Sequence, residues 1–543
     1  MFGSRPATGG LVSGLLICIL ACFPAAAQRD QPVLRLLVLG ADANPIQPVR
    51  LTGVDDAAVP ALATPAARAI TAGFIGQSID DVLLADIRDR LSAYYGSLGR
   101  PFVTIAIPEQ DVAAGSLRVI VIETTLGRIK VEGNRWFGDP YYAGAIRMRS
   151  GDPIDTIRLA ADTDWINRDD HRHATLTIGP GADQSTYDLT IRAKDRLPVE
   201  VTLAADNTGT PDTGLYRIGV AVDWSNALWR GDDLTYSFLT SPDQFRLLEN
   251  ALSYTAYLPW RDSITITLVN ADTRGKTTAE SDGASVNGHT EIVSFRYGLA
   301  LPGFPDFTHR LDLGYDFKTT NTNILAGGNA IFPTTSELDQ FVIAHTARLG
   351  DAFGSTTVTS MLVASPGHLS PRNTDAALGM QQPGAAASYV YGRLSIDRLT
   401  TLPHETAWAV RLTSQYASGN LLPSEQLAFG GYQSIRGFVE LGATRDTGIL
   451  MQHEFRLAPV TVHGLADTGP MVPFVFFDAG AGRNHHDMEG GQKSWLAIAS
   501  AGPGLTWHVT QTIAVRLSWG FPLIRNGHTG PFLGPQFGTQ IAF

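Results

Sequence analysis

Over the C-terminal two-thirds of the chain, apolar and polar residues alternate with a period of two. Ile264, Ile266 and Leu268 alternate with Ser263, Thr265 and Thr267, and Leu311, Leu313, Tyr315 and Phe317 with Arg310, Asp312, Gly314 and Asp316. Trp408, Val410, Leu412 and Tyr416 share one face, with Arg411, Thr413 and Gln415 on the other. The pattern recurs at Ile449–Leu457 against Gln452, Glu454 and Arg456, and at Ile513–Trp519 against Thr512, Arg516 and Ser518. Successive side chains of a strand point to opposite faces, so each segment predicts a strand with one apolar and one polar side. Clusters of Gly, Asn, Asp and Pro punctuate the segments as turns do. A soluble sandwich would bury the apolar faces. Three features favour a membrane barrel instead: aromatics near strand ends (Tyr236, Tyr254, Tyr257, Trp260, Trp519), charges in mid-strand on the polar faces, and a last strand with Phe537, Ile541 and Phe543 in phase. From about Val199 to Phe543, at roughly 21 residues per strand and connection, the expectation is an antiparallel barrel of about 16 strands.

Residues 33–197 follow another rhythm, mixed α and β. A strand is expected at Val49–Gly53, then a helix over Ile79–Tyr95, where Val82, Leu83, Ile87, Leu91 and Tyr94 fall at helical spacing and Asp80 and Asp81 favour the N-terminus. Strands follow at Phe102–Ile107 and Ser116–Glu123. The order then repeats: a strand at Gly127–Glu132, helices near Tyr141–Met148 and Ile157–Arg168, and strands at Ala174–Ile178 and Thr186–Ala193. Two consecutive β-α-α-β-β units are the clearest internal repeat.

The ends of the chain and its charge narrow the class. Arg5, the apolar stretch Leu11–Phe23 and Ala25-Ala26-Ala27 read as a secretory signal over residues 1–27, with cleavage near Gln28. Lipidation at Cys22, within Ile19-Leu20-Ala21-Cys22, is the competing reading. Both cysteines, Cys18 and Cys22, fall inside that segment, so no disulfide is expected in the mature protein. No later stretch approaches 18 uninterrupted apolar residues, so no transmembrane helix is expected. The formal charge of −11 argues against a nucleic-acid partner, and 55 glycines, above the average of roughly 7%, suit a turn-rich chain.

Ordered motifs carry a resemblance to a known family. The paired α+β units resemble tandem POTRA domains, and the whole resembles the two-partner secretion transporters, the haemolysin secretion/activation group of the Omp85 superfamily. The first unit has Ile107-Pro108-Glu109-Gln110-Asp111 and Gly115-Ser116-Leu117-Arg118-Val119, similar to that family's P-x-Q-D…G-x-L pattern. The second opens with Ile129-Lys130-Val131-Glu132-Gly133-Asn134, similar to I-x-V-x-G-N, and the barrel region begins with Asp206-Asn207-Thr208-Gly209. Gly430 to Phe438 resembles the superfamily's loop-six motif, with Ile435-Arg436-Gly437-Phe438 in the place of V-R-G-Y/F, inside a long connection from about Gly419 to Thr447. Phe476-Phe477-Asp478-Ala479-Gly480 is similar to the F-x-D-x-G strand, whose aspartate the resemblance implies is the lumenal partner of Arg436. The implied division is 28–125 for an N-terminal segment with the first POTRA domain, 126–197 for the second, and 198–543 for the barrel. Members commonly carry a plug helix before the first POTRA domain. Here Val33–Leu39 reads as extended, so loop six is expected to be the sole occupant of the lumen.

The resemblance implies an outer-membrane transporter, with its POTRA domains in the periplasm, that binds an unfolded partner protein and exports it. Implied partners are a large, repeat-rich secreted protein, the outer-membrane lipids and the barrel-assembly machinery, for which Phe543 would be the C-terminal signal. The expected client-binding surface is an exposed strand edge, by strand addition, with the groove beside Ile79–Tyr95 and its helix face of Val82, Leu83, Ile87 and Leu91. No enzyme signature such as G-x-S-x-G, H-E-x-x-H or G-x-x-x-x-G-K occurs, and neither a catalytic residue nor a cofactor is expected. The clusters Asp170, His171, His173 and His485, His486, Asp487 have no spacing that fixes a metal's coordination, and read as solvated turns. Rival readings are an assembly factor of the same superfamily and a passive porin.

Overall fold

The computed structural model describes residues 32–42, 50, 52–183, 185–275, 284–304, 306–326, 329–461, 468–486, 494–526 and 530–543. The segment expected to be a secretory signal, with Cys18 and Cys22, lies outside them, as do Val49 and Leu51 of the strand expected at Val49–Gly53, and Asp487. The chain divides into two compact units. One takes the N-terminal stretch to Lys130 with Ala145–Trp165 and Leu176–Ile191; the other takes Val131–Gly144, Ile166–Thr175 and Arg192–Phe543.

In the first unit, β1 (Leu36–Gly40), β2 (Gly53–Asp55), α1 (Pro65–Ala72), α2 (Asp81–Ser97), β3 (Val103–Ala106) and β4 (Ser116–Glu123) build one module. Its sheet has the order β2-β1-β4-β3, with β1 parallel to β2 and β4, and β3 antiparallel to β4. Asp80 caps α2, its side chain accepting from the Leu83 backbone N at 2.8 Å. Leu83, Ile87, Leu91 and Tyr95 close over Leu37, Leu39, Leu117 and Val119 in a single apolar core, each large side chain contributing about 1.5–3 kcal/mol by its burial. Helix α1 has too few large apolar residues to show a periodic stripe. Its start is marked instead by Thr64, whose hydroxyl accepts from the Ala67 N, and by Pro65 in the first turn.

The second α+β module comprises β5 (Thr125–Glu132), α3 (Asp139–Ala145), α4 (Thr156–Ile166), β6 (Arg172–Pro180) and β7 (Thr186–Asp195), with sheet order β5-β7-β6. Its expected elements therefore stand, with ends displaced by a residue or a few. In the turn after Gly133-Asn134, Asp195 gathers the backbone N atoms of Arg135, Trp136 and Phe137 at 2.8–3.1 Å, satisfying donors that the turn would otherwise leave open.

From Val199 onward, the described strands form a closed barrel of sixteen. Each is antiparallel to its neighbours, and the last, Gln536–Ala542, pairs with the first, Val199–Asp206, over Gly538↔Asp206 to Ala542↔Thr202. The fifteenth strand is broken at Trp519-Gly520 into Ile513–Ser518 and Phe521–Asn526, both paired with the fourteenth. Phe543 exchanges backbone hydrogen bonds with Val201 at the seam. Leu252, Ile266, Leu268, Val293, Phe295, Leu313, Phe341, Ile343, Val475 and Leu517 lie on the outer face, 39–52% exposed. In water such a belt would be a liability; against hydrocarbon it is the requirement. Tyr257 departs from the expected girdle. It stands three residues from Tyr254 and so on the opposite face of their strand, where its hydroxyl donates to Asp233 at 2.5 Å.

Candidate functional site: loop six in the barrel lumen

The connection between strand eleven (Thr406–Ala417) and strand twelve (Thr447–Arg456) is the sixth on the side away from Val199. It folds inward as a short hairpin, Leu427–Phe429 against Ala443–Arg445, with Gly430–Gly442 as its tip. Leu427, Phe429, Ile435 and Phe438 pack on Leu450, Leu496 and Ile498 of the wall. Ile435 and Phe438 are thus apolar pegs, and Arg436 between them turns to a carboxylate on the wall.

Arg436 is 3% exposed and Asp478 0%. The guanidinium Nε and Nη2 donate to the two oxygens of Asp478 at 2.7 and 2.8 Å, a planar fork on a planar acceptor. The Arg436 backbone N adds a third bond to the same carboxylate, at 3.1 Å. Nη1 reaches Glu454 on strand twelve at 3.1 Å, and the Phe476 ring lies 3.7 Å from the guanidinium carbon. The structure therefore brings together the two residues that the motifs single out.

Glu454 is legible in the sequence only as one lumen-facing residue of an alternating strand. In the fold it is a hub, accepting also from Arg456 Nε at 2.9 Å and from Arg516. Gly437 has φ +83°, and a Cβ there would stand 2.6 Å from the Gly520 carbonyl oxygen. Loop backbone and wall backbone touch because both residues are glycine, at the break in strand fifteen. Beyond it, Phe532 N donates to Gly437 O and Val439 N to Gly530 O, pairing the tip with the eighth outer connection.

A second anchor holds the start of the loop. Glu425, 2% exposed, takes Lys318 Nζ and Gln340 Nε2 at 2.8 Å each and Tyr391 Oη at 2.9 Å. Around it, Leu421 and Leu422 pack with Leu338, Val342, Val363, Tyr389 and with Leu378 of helix α5 (Asp375–Gln381). The expectation that loop six is the sole occupant of the lumen is therefore corrected. The fifth outer connection folds in beside it, its helix started by Thr374 as an N-cap on Ala377 N.

The remaining candidates fall elsewhere. Leu83, Ile87 and Leu91 are 3%, 0% and 0% exposed in the core of the first module; only Val82, at 77%, faces outward. The apolar stripe that announces the helix is the face it buries, so it cannot also receive a client. His171 is buried rather than solvated, with Nδ1 2.8 Å from Asp169 and 3.3 Å from Ser225 Oγ. His485 Nε2 contacts Ala417 O at 2.7 Å. Among the described residues, no group of three metal-ligating side chains is gathered.

Residues 185–507 match the family model described as haemolysin secretion/activation protein ShlB/FhaC/HecB. The heme/hemopexin transporter protein HuxB of Haemophilus influenzae is 21% identical over 473 residues, 84% of this chain and 80% of that relative. The outer membrane transporter CdiB of Escherichia coli is 22% identical over 403 residues, 71% of this chain and 65% of that relative. Among solved structures, CdiB from Escherichia coli superposes with a TM-score of 0.74 at 16% identity, over 97% of this chain and 93% of that one. BamA from Haemophilus ducreyi does so at 0.52, covering 86% and 95%. With more than half its length under the family model, a sixteen-stranded barrel and α+β modules ahead of it, the chain is an outer-membrane transporter of the two-partner secretion type and belongs to the haemolysin secretion/activation family.

Proposed function

We propose that the chain exports a secreted partner protein, received unfolded in the periplasm by the POTRA modules and passed outward through the barrel. The observation that carries this reading is the loop-six knot. A passive porin works through an open aqueous bore, whereas here loop six folds into the lumen and is held there by a buried Arg436–Asp478–Glu454 cluster. A lumen occupied in this way suits a pathway that a client must engage. The relatives described as transporters support the same reading.

Intake by strand addition fits an unfolded client, because main-chain hydrogen bonds need little side-chain specificity. With Leu83, Ile87 and Leu91 committed to the core, the first module offers its sheet edges for this, at β2 (Gly53–Asp55) and at the longer β3 (Val103–Ala106).

The test compares culture-supernatant and outer-membrane proteins of the parent strain and a deletion strain. Loss of one large protein from surface and medium, with other barrels unchanged, is the expected result. Depletion of many barrels together would replace this reading with an assembly role. No change in either fraction would favour passive uptake.

A further inference from the structure

Beneath the tip of loop six lies a chamber of about 590 Å³ whose wall is rich in arginine. It reaches from Tyr432, Gln433 and Arg436 at its roof to Ser355 and Arg456, which stand at the strand ends on the side where Val199 enters. Arg411 pairs across the sheet with Gln452, and Gln452 with Asp478, so Arg411 shares the lumenal face with Arg436, Arg456 and Arg516. Arg398, one residue on from Asp397 and opposite Val410, turns to the other face of its strand and is taken by Asp351. Against these arginines the lining holds two carboxylates, Asp397 and Glu454. Asp397 takes Arg411. Glu454 is divided among Arg436, Arg456 and Arg516, and Asp478, buried behind the roof, serves Arg436 alone in this cluster.

The distribution of exposure sharpens this. Arg436 is almost wholly buried, but the side chains of Arg411, Arg456 and Arg516 remain 52%, 38% and 34% exposed. A guanidinium has five N–H donors in a fixed fork, and Glu454 takes one nitrogen from each of Arg456 and Arg516. Tyr432 and Phe474 lie against Arg516 at 5.9 and 4.9 Å and hold its plane. In a chain of net charge −11, such a cationic pocket runs against the overall balance.

We propose that this chamber binds the carboxylates of an extended acidic polypeptide segment entering from the periplasmic side. Its size lies in the range of about 300–1,000 Å³ typical of ligand pockets, enough for a few residues of extended chain and too small for a folded domain. Arginine suits the task because its fork matches a carboxylate through two parallel bonds. That the natural occupant is the exported client rests on the export reading; binding of acidic peptide by the chamber does not.

The experiment measures binding of labelled short oligoglutamate and oligolysine peptides to the purified full-length protein in detergent, by fluorescence anisotropy at low and high salt. Oligoglutamate is expected to bind, more weakly as salt rises, and oligolysine not to bind. The Arg411→Gln/Arg456→Gln variant should bind oligoglutamate about tenfold more weakly, as loss of two partly exposed charge contacts implies. Arg456→Lys, which keeps the charge, should lose less. Should the double variant fail to fold, Arg411→Gln alone serves, because Arg411 stands outside the Glu454 cluster. The proposal is overturned if oligoglutamate does not bind, if oligolysine binds equally, or if folded variants bind like the parent. Binding with no change in secretion on gene deletion would leave the chamber intact and remove the export reading.

Discussion

Replacing Arg436 by Ala would remove all three guanidinium bonds to carboxylates and leave Asp478 inside a site with no exposure. The Arg436 backbone N still reaches Asp478 at 3.1 Å, but one neutral donor does not balance the charge. Breaking a buried pair by deleting one partner costs about 3–5 kcal/mol. At about 1.4 kcal/mol per factor of ten, that shifts the ratio of docked to undocked loop by roughly a hundredfold to several thousandfold. The barrel itself should survive, because its sixteen strands close without any loop-six residue in their ladders. The assay is amide hydrogen exchange of the purified protein, comparing Gly430–Gly442 with the strand-twelve amides Ile449–Phe455. Exchange at the tip should rise by that factor or reach the unprotected limit, with strand twelve unchanged. Arg436→Lys should fall between, since an ammonium keeps the charge but loses the fork. If Arg436→Ala folds and the tip exchanges within about threefold of the parent, the knot does not hold the loop, and the stranded-charge cost assigned to Asp478 is wrong.

Other consequences are equally direct. Gly437→Ala places a Cβ 2.6 Å from the Gly520 carbonyl at a φ of +83°, a strain of about 1–3 kcal/mol; tip exchange should rise and Gly520→Ala should produce the same phenotype, since its Cβ would meet Gly437 N at 2.5 Å. Glu425→Gln leaves Lys318 without its charged partner and should raise exchange over Leu421–Leu427 while leaving Gly430–Gly442 protected; coupled loss of both would refute independent anchors. In the first module, the hydrogen bond and charge of Arg68 hold the Asp56 carboxyl below its usual value of 3.8. A depressed folded value stabilises fully above the unfolded value, near 4, and that contribution is lost as the pH falls through the lowered one. The urea midpoint of the first module, followed by exchange of its core amides, should therefore drop more steeply below pH 4 in the parent than in Arg68→Ala.

Much of this arrangement was legible in the chain because its parts obey local rules. Alternation identifies the strands, and a long connection between two strongly alternating segments isolates loop six. What alternation cannot supply is partnership. Glu454, Gln452 and Arg456 read alike as lumen-facing residues, and only the register, with Glu454 beside Phe476, places one of them at Arg436. Parity would have separated Tyr257 from Tyr254. The stripe of α2 likewise contained its own answer, because a face apolar enough to predict a helix is the face the module buries. Helices α1 and α5 are short, and a cap rather than a periodicity marks each, at Thr64 and Thr374.

The choice of charge for the central anchor has a physical consequence that packing alone would not give. A loop held only by Ile435 and Phe438 would, on leaving the wall, expose apolar surface to a wet lumen with no partner waiting elsewhere. The ionic cluster behaves differently. Docked, it is costly to assemble, since Arg436 and Asp478 both surrender water. Released, each charge regains solvent, and Glu454 keeps Arg456 and Arg516 as partners. The docked state is thereby steep in geometry yet bounded in energy: a small displacement breaks the fork, and the freed groups are not stranded. The Gly437–Gly520 contact adds a steric register without adding apolar area. Replacing the pair with well-fitted apolar residues, as in Arg436→Met with Asp478→Leu, should hold the loop as firmly or more so. Under the export reading, that variant should bury the loop and secrete less partner than the parent, and equal secretion would mean that release of loop six is no part of the path.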